Sequence, residues 1–510
     1  MTLLRESYLA HLWAVLVSLY ENSACHRLLV RLGRWCNQQI DGSRILRPLC
    51  REGVVAKAWS DSLFCRVLTA LLNLPGWLLH KLYTACSSLF EGSFFARLAF
   101  SMGDSTSIAQ SWLILFLWVI PFDYWNNAYT MIGCVFLLAL FYASSMHRAD
   151  RKLDLKSIGF YPILFFGAMF LSVFFSYVPQ ESARFLLYHI AAALLVLLTV
   201  SAVQNEYDLQ RLVAGSSVCV LVSSVYGVIQ RIQGVEVNPS YVDVSLNPDM
   251  PGRVMSFFDN PNTFAEVLIL LLPLTLALLL CVKPLTGKVV LTGIFLVGTA
   301  ALAMTYSRAS WVGFACAAVV LVFLWKPKLI PAFFLLCLLA IPLMPSSIWN
   351  RILTIGNPAD TSTASRVPLY QAAIQVIQHS PVSGAGLGTA AVQSYIKDMN
   401  LYHGHAPYVH AHNFYLEVWV EGGILAVIGF VGSMLWNIKR AAHTVRRCCT
   451  NSCPARTITC AAAAALCGAM VCGLADYLWN YPRVLCIFWF VFAIALAGTK
   501  LCLQKASEEA

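Results

Sequence analysis

The stretch G-R-V-M-S-F-F-D-N-P-N-T, residues 252–263, runs directly into F-A-E-V-L-I-L-L-L-P-L-T-L-A-L-L-L-C-V, residues 264–282. Asn-Pro-Asn is a turn signal, and about twenty apolar residues in a row are enough to cross a bilayer as a helix. The pair therefore reads as a loop delivering the chain into a membrane span, with Asn262 or Thr263 as the cap of the helix. Working outward, comparable apolar runs lie near 108–122, 128–146, 158–178, 183–203, 209–230, 287–304, 308–325, 328–343, 413–437, 457–479 and 484–502. The expected fold is all-α, a polytopic membrane protein of about 12 transmembrane helices. Composition agrees: 59% of residues are hydrophobic and 12% charged, against about a quarter charged in soluble domains. Mean hydropathy is +0.68.

Orientation follows from charge. Placing the N-terminal region inside puts R-A-D-R-K-L-D-L-K (148–156), Lys283, Lys288, Lys326, Lys328, the cluster from Lys439 to Arg456 and the C-terminal tail inside as well. Of 35 Lys and Arg, 27 then lie inside and 8 outside, the bias expected of short loops in a cytoplasmic membrane. Both termini are cytoplasmic in this reading, and the localisation is the cytoplasmic (inner) membrane. The net charge of +10 is explained by that bias. No basic run is interleaved with aromatics as a nucleic-acid groove needs, so nucleic acid is not an expected partner. None of the 18 cysteines falls in an external loop, as thiols of a reducing compartment would.

Three regions result. Residues 1–105 are basic, aromatic and only intermittently apolar, which suits helices lying on an anionic membrane surface, and no cleavable signal sequence is expected. Residues 106–503 form the transmembrane domain, with long external loops at 231–263 and 345–412, and 504–510 are a cytoplasmic tail. Within the second loop, Ser365–His379 has helical apolar spacing and reads as an amphipathic helix on the outer surface. G-A-G-L-G (384–388) reads as a flexible turn, with no preceding strand to support a phosphate-binding loop.

Cations held on the outer face against the bias need a reason. Arg253 lies in the 252–263 loop and Arg308 in T-Y-S-R-A-S-W-V-G (305–313) at the mouth of a span. Either is an interfacial anchor or a guanidinium fork aimed at phosphate oxygens. The loop Y-H-G-H-A-P-Y-V-H-A-H-N (402–413) carries His403, His405, His410 and His412. Its H-x-H pairs could bind zinc with Glu417 or Glu421. His412 opens the next span and is equally placed as a general base or as a donor to an anionic oxygen.

These segments together resemble the O-antigen ligase and polymerase superfamily: G-R-x-x-S-F-F-x-N-P-N-x-F-A, S-R-A-S-W-V-G, S-R…P-x-x-G-x-G-L-G and H-N-x-Y-L-E-x-x-x-E-x-G-I, in this order across about residues 108–500. A family glycine is replaced by Ala426. The resemblance implies a GT-C-like architecture and transfer of a polyprenyl-diphosphate-linked glycan at the outer face to a lipid, glycan or protein acceptor, with no cofactor and no metal. It implies that Arg253, Arg308 and Arg366 hold the diphosphate, that Arg308 and His412 are catalytic, and that Asn260, Asn262, Asn413 and Glu421 support them. The alternative is a membrane transporter of a small anion or glycan precursor, which should carry mid-membrane ionisable groups and repeated broken helices. A scaffold subunit would need no external arginines or histidine.

Overall fold

The computed structural model describes residues 8–44, 47, 54–238, 250–355, 365–404, 408–447 and 453–508. Among them there is no strand. The N-terminal region folds as α1 (Tyr8–Glu21), α2 (Ala24–Gly42), α3 (Val54–Asp61), α4 (Leu63–Ala85), α5 (Ser87–Gly92) and α6 (Phe94–Asp104). The bundle then runs α7 (Thr106–Val119), α8 (Ala128–His147), α9 (Phe160–Phe174), α10 (Pro179–Ala202), α11 (Glu206–Gln233), α12 (Pro261–Cys281), α13 (Leu285–Met304), α14 (Arg308–Trp325) and α15 (Ile330–Ala340). Three shorter helices follow, α16 (Ser346–Leu353), α17 (Arg366–His379) and α18 (Thr389–Asp398), before α19 (Phe414–Arg447), α20 (Pro454–Cys472) and α21 (Pro482–Glu508).

Ten of these helices are long and apolar enough to cross a membrane, and three shorter apolar ones include α7, α9 and α15. Every one of the twelve expected spans falls on a helix, so the chain is an all-α multi-pass membrane protein. The tenth long helix, α4, lies in the region read as surface-bound. Its contacts show how it sits: Tyr142 Oη donates to Leu72 O, Leu153 N donates to Asn73 Oδ1, Gly76 abuts Ser145, and His80 Nδ1 meets Met146 O. These four residues, from Leu72 to His80, meet the last turns of α8 and the segment after it.

At the bundle's centre is α21, with 94% of its apolar window buried. Beside it α20 carries the alanine run 461–465, all fully buried. Small residues let backbones approach: a Cβ on Gly313 of α14 would sit 2.7 Å from the Gly468 carbonyl of α20. Such a contact tolerates nothing larger than glycine without moving a helix.

Two spans differ from the expected ones in ways that shape the site. The run 457–479 is helical only to Cys472, and the chain then turns, leaving Asp476 in a connection rather than in a helix. The run starting at 413 is broken at Gly423 (φ 70°, ψ −172°). There Ile424 N donates to Pro381 O, and a Cβ on Gly423 would lie 1.8 Å from the Val382 carbonyl. A left-handed residue in van der Waals contact with another backbone has to be glycine.

Candidate active site

The loop 252–260 is built against the turn before α14. Val254 N donates to Met304 O, and the Arg253 guanidinium donates through Nε to Thr305 O at 2.6 Å. Arg308 begins α14 three residues further on, where its Nη1 donates to the carbonyl and hydroxyl of Thr354 at 2.9 and 3.1 Å. The two arginine motifs, 55 residues apart in sequence, are therefore neighbours.

Asn260, not Asn262 or Thr263, caps α12: its Oδ1 accepts the Asn262 N–H at 2.8 Å. That correction frees the Asn262 amide for another task. Its Oδ1 accepts from Arg253 Nη2, and its Nδ2 donates to Asp476 Oδ2 at 3.1 Å. Asp476 in turn accepts at Oδ1 from its neighbour's Tyr477 N–H and pairs with His412 Nδ1 at 3.0 Å. A continuous polar chain, Arg253–Asn262–Asp476–His412, thus crosses from the arginine loop to the histidine. Burial opposes the Asp476 charge, but the His412 hydrogen bond and the charges of His412, His410 and Arg366 hold its carboxyl well below the usual carboxylate range. Arg366, at the start of α17, acts on Asp476 through space, and Tyr370 one turn later donates to the His412 carbonyl at 3.4 Å.

His412 itself adopts a left-handed backbone, φ 45°, as do Tyr306 (φ 52°) and Ser256 (φ 54°) beside the arginines. Non-glycine residues in that region cost of order 1 kcal/mol or more and are held by their surroundings, a pattern concentrated at active sites. The holding group for His412 is Asn413, whose Oδ1 caps α19 by accepting from Tyr415 N and Leu416 N, both at 3.1 Å.

His410 packs against His412 with the rings tilted by 55° and their centroids 4.1 Å apart, and its Nδ1 accepts the His412 backbone N–H at 3.1 Å. Burial lowers its pKa from 6.5 to about 3, aided by the nearby charges of His412 and Arg366 and opposed by Asp476. The folded chain then binds fewer protons than the unfolded chain between about pH 3 and 6.5. Stability falls as pH drops through that window, by up to about 1.4 kcal/mol per unit for one group. Melting curves of the purified protein from pH 7 to pH 4 should show this loss, and His410→Asn should flatten the slope.

His410, His412 and Asp476 bring three ligand-type atoms within 4.8 Å of one another. They are not the histidine set that the H-x-H spacing suggested: His403 stands exposed and His405 lies outside the described residues. Of their atoms, His410 Nδ1 accepts a backbone N–H, and Asp476 accepts from Asn262 and Tyr477 and pairs with His412. Glu417 and Glu421 are spent elsewhere. Glu417 accepts from Tyr408 Oη and Ala411 N, and Glu421 from Gly388 N and Tyr477 Oη. They fasten the histidine loop and the glycine turn to α19.

The glycine turn is not flexible. Gly384, Gly386 and Gly388 all have positive φ, and a Cβ on Gly386 would lie 2.0 Å from the Ser176 hydroxyl. Nor does α17 rest its apolar face on a membrane surface. Leu369, Ala372, Ala373 and Val376 form a second small core with Val392, Ile396 and Val420, so the second long loop is a folded cap over the spans.

The fold and site define a class: a helical membrane protein whose arginines, histidine and aspartate converge at one end of the bundle. Residues 292–431 match the family model described as O-antigen ligase. Over that segment, about a quarter of the chain, this protein is similar to that family. The curated proteins include none whose sequence matches this chain. Arg308, Arg366 and His412 lie inside the matched segment; Arg253, Asn262 and Asp476 lie outside it and join the site only through the fold. Asp476 was not singled out from sequence. A single carboxylate at the end of an apolar run, in L-A-D-Y, was the available signal.

Proposed function

We propose that this protein transfers or polymerises a polyprenyl-diphosphate-linked glycan onto an acceptor hydroxyl at the outer face of the cytoplasmic membrane, without a metal. The observation that carries the reading is the Arg253–Asn262–Asp476–His412 chain. One end suits a diphosphate and the other suits a hydroxyl. Arg253, Arg308 and Arg366 would stabilise the charge that develops on the departing diphosphate, an effect realised only as the bond breaks. His412, oriented by Asp476 through Nδ1, presents Nε2 to the acceptor. The acceptor oxygen attacks the anomeric carbon, the bond from that carbon to the diphosphate oxygen breaks, and the acceptor proton passes to His412. One displacement inverts the anomeric configuration.

Arg253, His412 and Asp476 meet at helix ends rather than within the spans, which favours chemistry at a membrane face over carriage through the middle. The test is a gene deletion scored for surface polysaccharide and for lipid-linked repeat units. Loss of the first with accumulation of the second is expected; normal surface glycan would refute the reading. Purified protein should transfer at an unchanged rate in EDTA, and inhibition reversed by zinc would restore the metal alternative. Orientation is checked separately in a variant lacking the exposed native cysteines. A cysteine at position 355 should react with an impermeant thiol reagent in intact cells and one at position 446 should not, both sites being exposed in the fold.

A further inference from the structure

Glu266 sits on α12, one turn below Asn262 on the same face and about 6 Å nearer the middle of the bundle, four residues at 1.5 Å each. It is 3% exposed. Among the described residues none donates a hydrogen bond to its carboxyl. Its electrostatic neighbours are Asp476, a second acid, and the Cys472 thiol. Around it the helices α12, α14 and α20 place small polar groups in an otherwise apolar interior. Thr263, Ser307, Ser310 and Cys472 are all buried, with Ser310 Oγ 3.0 Å from Ser307 Oγ and 3.8 Å from Cys472 Sγ. Every other buried carboxyl near the site is satisfied: Glu417, Glu421 and Asp476 each accept two or more hydrogen bonds.

A buried acid with no cation and no donor costs a fold several kcal/mol. The position would be better filled by leucine if packing were its only duty, since α12 is otherwise apolar. Ionisable groups kept at such expense inside a membrane bundle mark substrate contacts. These polar groups adjoin the arginine end of the polar chain through Asn262 and Asp476, where the diphosphate and the sugar bonded to it would sit.

We propose that Glu266 is a donor-recognition residue, its carboxyl binding a hydroxyl or amide group of the headgroup of the lipid-linked glycan. The assignment rests on the glycosyl-transfer reading above, and it places a specificity element on a helix outside the segment that matches the family.

The experiment compares wild type, Glu266→Gln and Glu266→Leu in the same detergent, measuring melting temperature, donor KM and kcat with a purified lipid-linked repeat unit. Glu266→Leu should melt at or above the wild-type temperature, because an unsatisfied polar group has been removed. Its donor KM should rise about tenfold or more, the loss expected for a hydrogen bond to an ionisable group. Glu266→Gln keeps a carbonyl acceptor of the same size and should recover most of that loss. A Leu variant whose KM and kcat stay within about twofold of wild type overturns the proposal. If the Leu variant does not fold, a Gln variant that matches wild type on a donor lacking the bonded hydroxyl or amide, while binding the full donor more weakly than wild type does, supports it; an equal effect on both donors overturns it. Wild-type protein that transfers nothing refutes the glycosyl-transfer reading instead, so the two failures are separable.

Discussion

His412→Ala should abolish glycan transfer while leaving the fold and the binding of the lipid-linked donor nearly intact. Removing a general base typically costs about 10²–10⁴ in rate. The donor term should survive because Arg253 keeps its bond to Thr305 O, and Arg308 keeps Thr354, whether or not the imidazole is present. Structure should survive because His412 is about a third exposed to solvent and its helix is capped by Asn413. A single-turnover assay with purified protein, with donor binding measured alongside, decides the matter. Turnover within tenfold of wild type would remove His412 from the chemistry. Weakened binding with unchanged turnover would make it a donor contact. His403→Ala should be close to neutral, since that side chain is exposed and touches none of the site residues described.

Asp476→Asn should cost nearly as much, by a different route. The carboxylate accepts at one oxygen from His412 and Tyr477 and at the other from Asn262. An amide of the same shape can keep only part of that set, because its nitrogen must donate where an oxygen accepted. If the nitrogen faces His412, the imidazole must offer a lone pair at Nδ1 and carry its proton at Nε2, where it can no longer act as a base. The corresponding change in serine proteases lowers kcat by roughly 10⁴ for this tautomer reason. If the nitrogen faces Asn262, that amide must flip and release Arg253, weakening the donor end instead. Measuring kcat and donor KM together distinguishes the two, and full activity in Asp476→Asn would mean that the polar chain is structural only. The variant should also melt lower, since it disturbs a buried carboxylate with several partners.

Charge bias and apolar run length placed twelve spans and gathered the arginines at one end because both signals are local. A bilayer demands about twenty apolar residues in succession and penalises charge within them, so each span announces itself. The N-terminal helix Leu63–Ala85 marks the limit of that rule. By length and hydropathy it qualifies as a span, although it lies in the basic region that the sequence reads as surface-bound. Arg253, Arg308 and His412 were legible for a similar reason: each is a polar residue beside a span end.

What residue order alone left undecided is who faces whom. Asn262 looked like a cap, and the cap is Asn260; only the approach of the 473–477 turn gives the Asn262 amide its two partners, Arg253 and Asp476. Asp476 lay inside an expected span because alanine and leucine surround it, and it reaches His412 only because α20 stops at Cys472. Glu417 and Glu421 looked like metal ligands and turn out to be fasteners. Their donors, Tyr408, Gly388 and Tyr477, come from three separate loops that fold over α19. Run length and charge are properties of a few adjacent residues, so the chain carries them openly. Hydrogen-bond partners across 64 residues, as between His412 and Asp476, depend on helix packing that no local pattern encodes.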